Sequence, residues 1–210
     1  MNASKMLLSA VCALASLSVA AAAETISQFD TKIPAGSATQ TGRLSRSGVP
    51  SDWSVPKTFP GVINTTTKYE YVTFDFTAAS LAQTPFIQVS IFDYANSGAN
   101  FLSAYAGSYD PTQKMLNYLG DTGSSPNYFG TDAVSFQVIA PSKNDLILVL
   151  NDTHAGNFTG AGSPVNILVE GFTDTSFSDP APVPEPSTFA LLGTGLTGLF
   201  GLSRRLRRSA

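Results

Sequence analysis

The sequence predicts an all-β protein, an antiparallel β-sandwich of jelly-roll type, set between an N-terminal signal peptide and a single C-terminal transmembrane helix. Three observations lead there. Short segments with period-two alternation recur between residues 69 and 169. Gly, Pro and Asn turns separate them, and no long 3.6-residue periodicity competes. Long uncharged apolar stretches are confined to the two chain ends. The parts divide as 1–23 signal peptide, 24–174 sandwich domain, 175–186 proline-rich spacer, 187–203 membrane helix and 204–210 basic tail.

At the N-terminus Lys5 precedes an apolar stretch from Met6 to Ala20, which ends in Ala21-Ala22-Ala23. This is the layout of a secretory signal with an Ala-x-Ala site, cut before Glu24. Cys12, the one cysteine, lies inside the removed stretch and lacks the surroundings of a lipoprotein box. The exported part therefore has no disulfide, thiolate metal site or catalytic thiol. Its roughly 150 residues are enough for one core held by packing alone.

The whole chain has 12 basic and 15 acidic residues. Removing Lys5 and the four tail arginines leaves seven against fifteen, a balance of −8 in place of −3. Such a surface argues against nucleic acid or anionic lipid as partner and is compatible with cations and neutral polymers.

The strand signals follow in order. Val72, Phe74 and Phe76 share one face of Tyr69 to Phe76; Tyr69, Tyr71, Thr73 and Asp75 take the other. Ile87, Val89 and Ile91 alternate with Gln88 and Ser90; Val134, Phe136 and Val138 alternate with Ser135 and Gln137. Leu146 to Leu150 is apolar without a break, which predicts a central strand covered on both faces. Val165, Ile167 and Val169 alternate with Asn166 and Glu170, and weaker strands are expected near 40–46, 100–105 and 115–118. About eight such strands fit a sandwich. Pro180, Pro182 and Pro184 keep the following spacer extended.

No ionisable residue lies between Ser187 and Ser203, and Leu191, Leu192, Leu196, Leu199, Phe200 and Leu202 make the segment greasy. Gly193, Gly195, Gly198 and Gly201 would weaken a helix in water but are common in membrane helices. At about 1.5 Å per residue the segment is roughly 25 Å long, short of a core of about 30 Å, and snorkelling arginines make up the difference. Arg204, Arg205, Arg207 and Arg208 act as the membrane stop and hold the C-terminus on the cytoplasmic side.

With Val183-Pro184-Glu185-Pro186-Ser187-Thr188 ahead of it, this tail resembles the PEP-CTERM sorting signal of Gram-negative bacteria over residues 183 to 208. The resemblance implies recognition by exosortase, an integral membrane cysteine protease or transpeptidase, with cleavage near Pro184, Glu185 and Pro186. It implies export, transient anchoring in the inner membrane, then release or attachment at the cell surface. The two prolines suit that role, because they forbid helix and ladder pairing and leave the scissile region extended.

A second similarity covers residues 40 to 172. Gly42-Arg43-Leu44, Gly48-Val49-Pro50, Lys57-Thr58-Phe59-Pro60-Gly61, Ser103-Ala104-Tyr105, Gly107-Ser108-Tyr109-Asp110-Pro111 and Asn117-Tyr118-Leu119-Gly120-Asp121 occur in the order of secreted bacterial β-sandwich modules. In this the chain resembles bacterial pre-peptidase C-terminal domains, which implies a non-catalytic module. Members often carry paired cysteines, and this chain has none after export.

Residues that could carry chemistry are few. His154, the one histidine, sits in the polar turn Asn151-Asp152-Thr153-His154-Ala155-Gly156-Asn157 with no Gly-x-Ser-x-Gly elbow in the chain. One histidine without cysteine does not make a zinc site. Asp110, Asp121 and Asp132 sit at strand ends and turns, where Asp serves the backbone, and the chain is read as a non-enzyme. Calcium is the cation that loop oxygens would suit, with Asp110 and Asp121 the candidate ligands and turn formation their competing role. Tyr105 and Tyr109, with Tyr118, Tyr128 and Phe129 near them in sequence, raise an aromatic platform for extracellular polysaccharide; core filling is the alternative. Asn64, Asn151 and Asn157 open Asn-x-Thr sequons, which mark exposed loops. The expected work is structural or adhesive, in the envelope or extracellular matrix.

Overall fold

The computed structural model describes residues 23–94, 98–126, 133–154 and 163–174. Nine strands carry these residues: β1 (Glu24–Thr31), β2 (Ala38–Leu44), β3 (Val62–Phe76), β4 (Phe86–Asp93), β5 (Asn100–Ala106), β6 (Tyr118–Asp121), β7 (Ala133–Ile139), β8 (Leu146–Asp152) and β9 (Val165–Phe172). A one-turn helix, α1 (Ala78–Leu81), follows β3 and is capped by Thr77, whose side chain accepts from the Ser80 amide.

The strands form two sheets, ordered β1-β9-β4-β7 and β2-β3-β8-β5-β6, with antiparallel pairing throughout. With edge strand β2 set aside, eight strands remain in two four-stranded sheets, each drawing neighbours from both halves of the chain. That wrapped order is a jelly roll, the architecture the alternation predicts.

Alternation decides what lies between the sheets. Ile87, Val89 and Ile91 of β4, Phe136 and Val138 of β7, and Val165, Ile167 and Val169 of β9 face Leu102 and Ala104 of β5 and Leu146, Leu148 and Leu150 of β8. Each is 3 % exposed or less, and each large side chain gains about 1.5–3 kcal/mol by burial. As its unbroken apolar run requires, β8 is the central strand of its sheet. Its outward residues Ile147 and Val149 are buried as well, beneath a second cluster with Tyr105.

Three departures from the sequence pattern have local causes. In β1 the apolar residues Ile26 and Phe29 are three apart, which breaks the period of two. A bulge between Thr25 and Ser27 absorbs the extra residue, so both pack against the core. The first half of β3 is threonine-rich and exposed; it is a strand only because β2 pairs with it across a register jump beyond Thr41. Instead of a strand over 115–118, the segment from Asp110 turns twice, with Gln113 N donating to Asp110 O (3.1 Å) and Leu116 N to Gln113 O (2.8 Å). Asn117 then takes φ +62° and β6 starts at Tyr118.

Residues 45–61 form a strap along the side of the sandwich where β6 and β7 are the sheet edges. Ser51 N donates to Asp121 O of β6 (3.0 Å), while Ser51 O accepts from Gln137 N of β7 (2.8 Å). One strap residue thus satisfies both edges, which would otherwise be open to further pairing. Trp53 anchors the strap edge-on against Phe86 (5.7 Å) and Phe172 (5.4 Å). The approach depends on Gly120, where an added Cβ would lie 2.2 Å from Ser51 Oγ and 2.9 Å from Val138 Cγ1.

Gly120→Ala should therefore destabilise the domain by about 1–3 kcal/mol through overpacking, and Leu148→Ala by about 2–5 kcal/mol through cavity formation. Denaturant midpoints of the two variants against the parent measure both.

Candidate functional site

The outer face of the five-stranded sheet carries Tyr105 and Tyr109, which the sequence marks for function. β-Pleating turns Tyr71 of β3, Tyr105 of β5 and Tyr118 of β6 outward with Ile147 and Val149, and the loop after β5 lays Tyr109 over them. Ring centroids lie 4.7 Å apart for Tyr105–Tyr109, 5.3 Å for Tyr71–Tyr109, 5.9 Å for Tyr105–Tyr118 and 5.2 Å for Phe59–Tyr118. Such tilted and edge-on pairs add about 0.5–1.5 kcal/mol each beyond burial.

This placement corrects the expected sugar platform. Tyr105 is 1 % exposed, so it presents no face to a ligand. Tyr109 is half-buried, spends its ring on Tyr71 and Tyr105, and donates its hydroxyl to Gln40 Oε1. The tyrosines form a second small core. Burial pushes the hydroxyls of Tyr105, Tyr109 and Tyr118 well above the ordinary phenol value, and for Tyr118 the Asp121 charge adds to it.

Asp121 is 0 % exposed. Its Oδ1 accepts from the Lys57 ammonium and from Gly123 N (2.6 Å), and its Oδ2 from the Tyr118 hydroxyl (2.5 Å). Lys57, 11 % exposed, also donates to Val49 O (2.7 Å). The carboxylate is a buried structural ion-pair partner that ties the strap to β6. Nothing local to Asp121 announces this, because its cation lies 64 residues upstream.

Asp110 has different work. Its Oδ1 accepts from Thr112 N (2.8 Å) and Thr112 Oγ1 (2.7 Å), and its Oδ2 from Gln113 Nε2 (3.2 Å). The bonds from Thr112 hold its carboxyl below the usual range. Asp110 and Asp121 share no hydrogen-bond partner, and among the described residues no group of three or more His, Cys, Asp or Glu could hold a metal ion. The two aspartates fill turn and ion-pair roles here.

His154 stands on the surface, its side chain 67 % exposed, with Nδ1 3.8 Å from Asp152 Oδ1. Its backbone N–H donates to the same carboxylate (2.8 Å) in a local turn. Of the sequons, Asn64 is exposed, but Asn151 is 2 % exposed within β8 and donates to Asp152 O, so it does not mark an open loop. Tyr128, Phe129, Asp132 and Asn157 lie outside the described residues.

Beside the tyrosine cluster lies a feature no sequence signal indicated. Two adjoining lobes of about 480 and 470 Å³ run between β2, β3 and the 111–117 turn. Phe59, Met115, Leu116 and Asn117 line the first; Thr39, Gln40, Thr41, Thr65 and Pro111 line the second; Val62, Thr112 and Lys114 line both. Lys114, 5 % exposed, pins the turn to β2 by donating to Thr41 O (2.9 Å) and Pro111 O (2.5 Å). Burial lowers its ammonium below the ordinary lysine value.

Residues 182–208 match the family described as the PEP-CTERM protein-sorting motif. The chain carries an exosortase sorting tail. The match contains Pro184, Glu185, Pro186, the apolar segment and Arg204, Arg205, Arg207 and Arg208. The PEP-CTERM tail implies an exported protein, anchored transiently in the membrane, with exosortase as its processing partner. The expected membrane helix at 187–203 and signal peptide at 1–23 lie outside the described residues, apart from Ala23; β1 begins at Glu24, next to the expected cleavage point. Among the described residues no helix is long and apolar enough to cross a membrane. No curated protein and no solved structure matches the chain, so the similarity of 40–172 to pre-peptidase C-terminal modules stands on the quoted phrases.

Asp121→Ala, which leaves the Lys57 ammonium buried and unpaired, should cost about 3–5 kcal/mol in chemical denaturation. The tyrosines give a second test. Their folded values are raised, so the unfolded chain releases phenolic protons first, near pH 10. Their contribution is complete below that value and is lost as pH rises through the folded values. Tyrosinate absorbance should therefore show Tyr105, Tyr109 and Tyr118 ionising together with alkaline unfolding.

Proposed function

We propose that this protein is a non-enzymatic structural or adhesive component of the cell surface or extracellular matrix, delivered by its PEP-CTERM tail, with extracellular polysaccharide as its partner there. The observation that carries the reading is the sorting motif at 182–208 joined to a sandwich in which Asp110 and Asp121, two of the candidate catalytic groups, have structural work. Asp121 closes the strap, Asp110 builds a turn, and His154 faces solvent beside Asp152. A hydrolase would need a nucleophile and base, or two free carboxylates, converging on a cleft. Neither lobe beside the 111–117 turn is lined by a carboxylate or a histidine. The surplus of acidic over basic residues in the exported part supports a neutral polymer as the partner over nucleic acid or anionic lipid.

Replacing Pro184, Glu185 and Pro186 by alanine should leave an uncut precursor in the membrane fraction, seen as a larger species on immunoblots. Unchanged processing overturns the sorting step. The processed wild-type protein should fractionate with the surface or matrix and show no turnover of glycans or peptides. Turnover abolished by His154→Ala, with the fold intact, would make it an enzyme instead.

A further inference from the structure

Among the described residues Lys57 and Asp121 form the one ion pair between a lysine and a carboxylate, and the two side chains are 11 % and 0 % exposed. The carboxylate is held at both oxygens. Its Oδ1 accepts from the Lys57 ammonium and from the Gly123 N–H (2.6 Å), while its Oδ2 accepts from a neutral donor, the Tyr118 hydroxyl (2.5 Å). Phe59 and Tyr105 stand edge-on to the Tyr118 ring, with centroids 5.2 and 5.9 Å away, and wall the group with aromatic surface. Lys57 also lines a cavity of about 140 Å³ together with Pro56, Leu119 and Val138. Lys114 makes the contrast: its ammonium meets the carbonyls of Thr41 and Pro111 and no carboxylate.

We propose that Lys57 and Asp121 condense to a side-chain amide, an intramolecular isopeptide bond that staples the strap to β6. An ammonium and a carboxylate contain the same atoms as an amide and one water, so the step needs no oxidant, reductant or co-reactant. The Lys57 nitrogen bonds to Asp121 Cγ, which is attached to the oxygen that Lys57 already holds, and the Cγ–Oδ2 bond breaks. Two protons leave the nitrogen and end on Oδ2, which departs as water; the second travels through the Tyr118 hydroxyl, which gives its proton to Oδ2 and recovers one from nitrogen. Charge that gathers on Oδ1 during the attack faces the Gly123 N–H. Holding two reactants in contact is equivalent to an effective concentration of up to about 10⁵–10⁸ M. Keeping water out then protects the product from hydrolysis, and condensation removes the two buried charges whose lost hydration burdens the ion pair. The bond would close a loop between residues 64 apart, where no disulfide staples the described residues.

The test is mass spectrometry of the full chain purified in detergent, intact and after denaturation and trypsin. The intact chain should be lighter than its sequence by one water. Trypsin should skip Lys57 and release residues 47–68 joined to residues 115–143 as a single species. Lys57→Arg keeps the cation but should restore the full mass and the separate peptides. Tyr118→Phe keeps the ring and should lower the linked fraction at least tenfold at equal times after synthesis. A wild-type chain at full mass overturns the proposal, and so does a lost water with the two peptides still separate, which places the dehydration elsewhere. Linked peptides in Lys57→Arg overturn it as well. Full linkage in Tyr118→Phe overturns the proton route through that hydroxyl. The wild-type readings decide the matter even if a variant fails to fold.

Discussion

The Lys57–Asp121 ion pair is the contact on which the arrangement of this domain turns. It joins a 17-residue connection to a four-residue edge strand, and the connection has no regular secondary structure to hold it in place. Around the pair, the Ser51 backbone bonds to both sheet edges, Trp53 seats on Phe86 and Phe172, and Phe59 leans on Tyr118. A buried ion pair is not by itself a large net source of stability, because both ions give up water. Its value here is positional. With Lys57 on this carboxylate, the strap lies along the side of the sandwich that β6 and β7 leave open.

The strap matters more because no disulfide staples the described residues. The described residues contain no cysteine, and the jelly roll is held by two apolar layers, one between the sheets and one of tyrosines outside the five-stranded sheet. Burying β8 on both faces makes it the shared wall of the two layers. The outer face of the other sheet is different in character. Gln137 donates to Gln88, Gln88 to Glu170, and Asn166 to Asp30 across successive strands, a polar ladder facing water. One sheet is therefore wet on its outer side, and the other is covered by loops that also shape the cleft.

Much of the fold was legible because period-two alternation is a local property. Ile87-Val89-Ile91, Phe136-Val138 and Val165-Ile167-Val169 name their own inner face, and the unbroken run at 146–150 names its central position. β1 was hidden because its bulge puts Ile26 and Phe29 out of period, and the start of β3 because threonines pair without an apolar stripe. The site was less legible. Tyr105 and Tyr109 read as platform or, more commonly in a sandwich, as filler until the sheet decided which side of each ring was free. Asp121 read as a calcium ligand or a turn former because its lysine is remote in sequence. The cleft had no motif at all, since its lining comes from four separate segments.

The chain's address was determined by sequence alone: the Pro-Glu-Pro tripeptide, the uncharged apolar segment and the terminal arginines are contiguous, and what reads such a signal needs no tertiary context. The all-β class was determined there too, because pleating makes side-chain parity a matter of neighbouring residues. Which aromatics are buried, which carboxylate meets a cation and where an open cleft remains were decided only by the tertiary structure. Those outcomes depend on loops crossing a sheet, and contact across a sheet joins residues that no spacing along the chain relates.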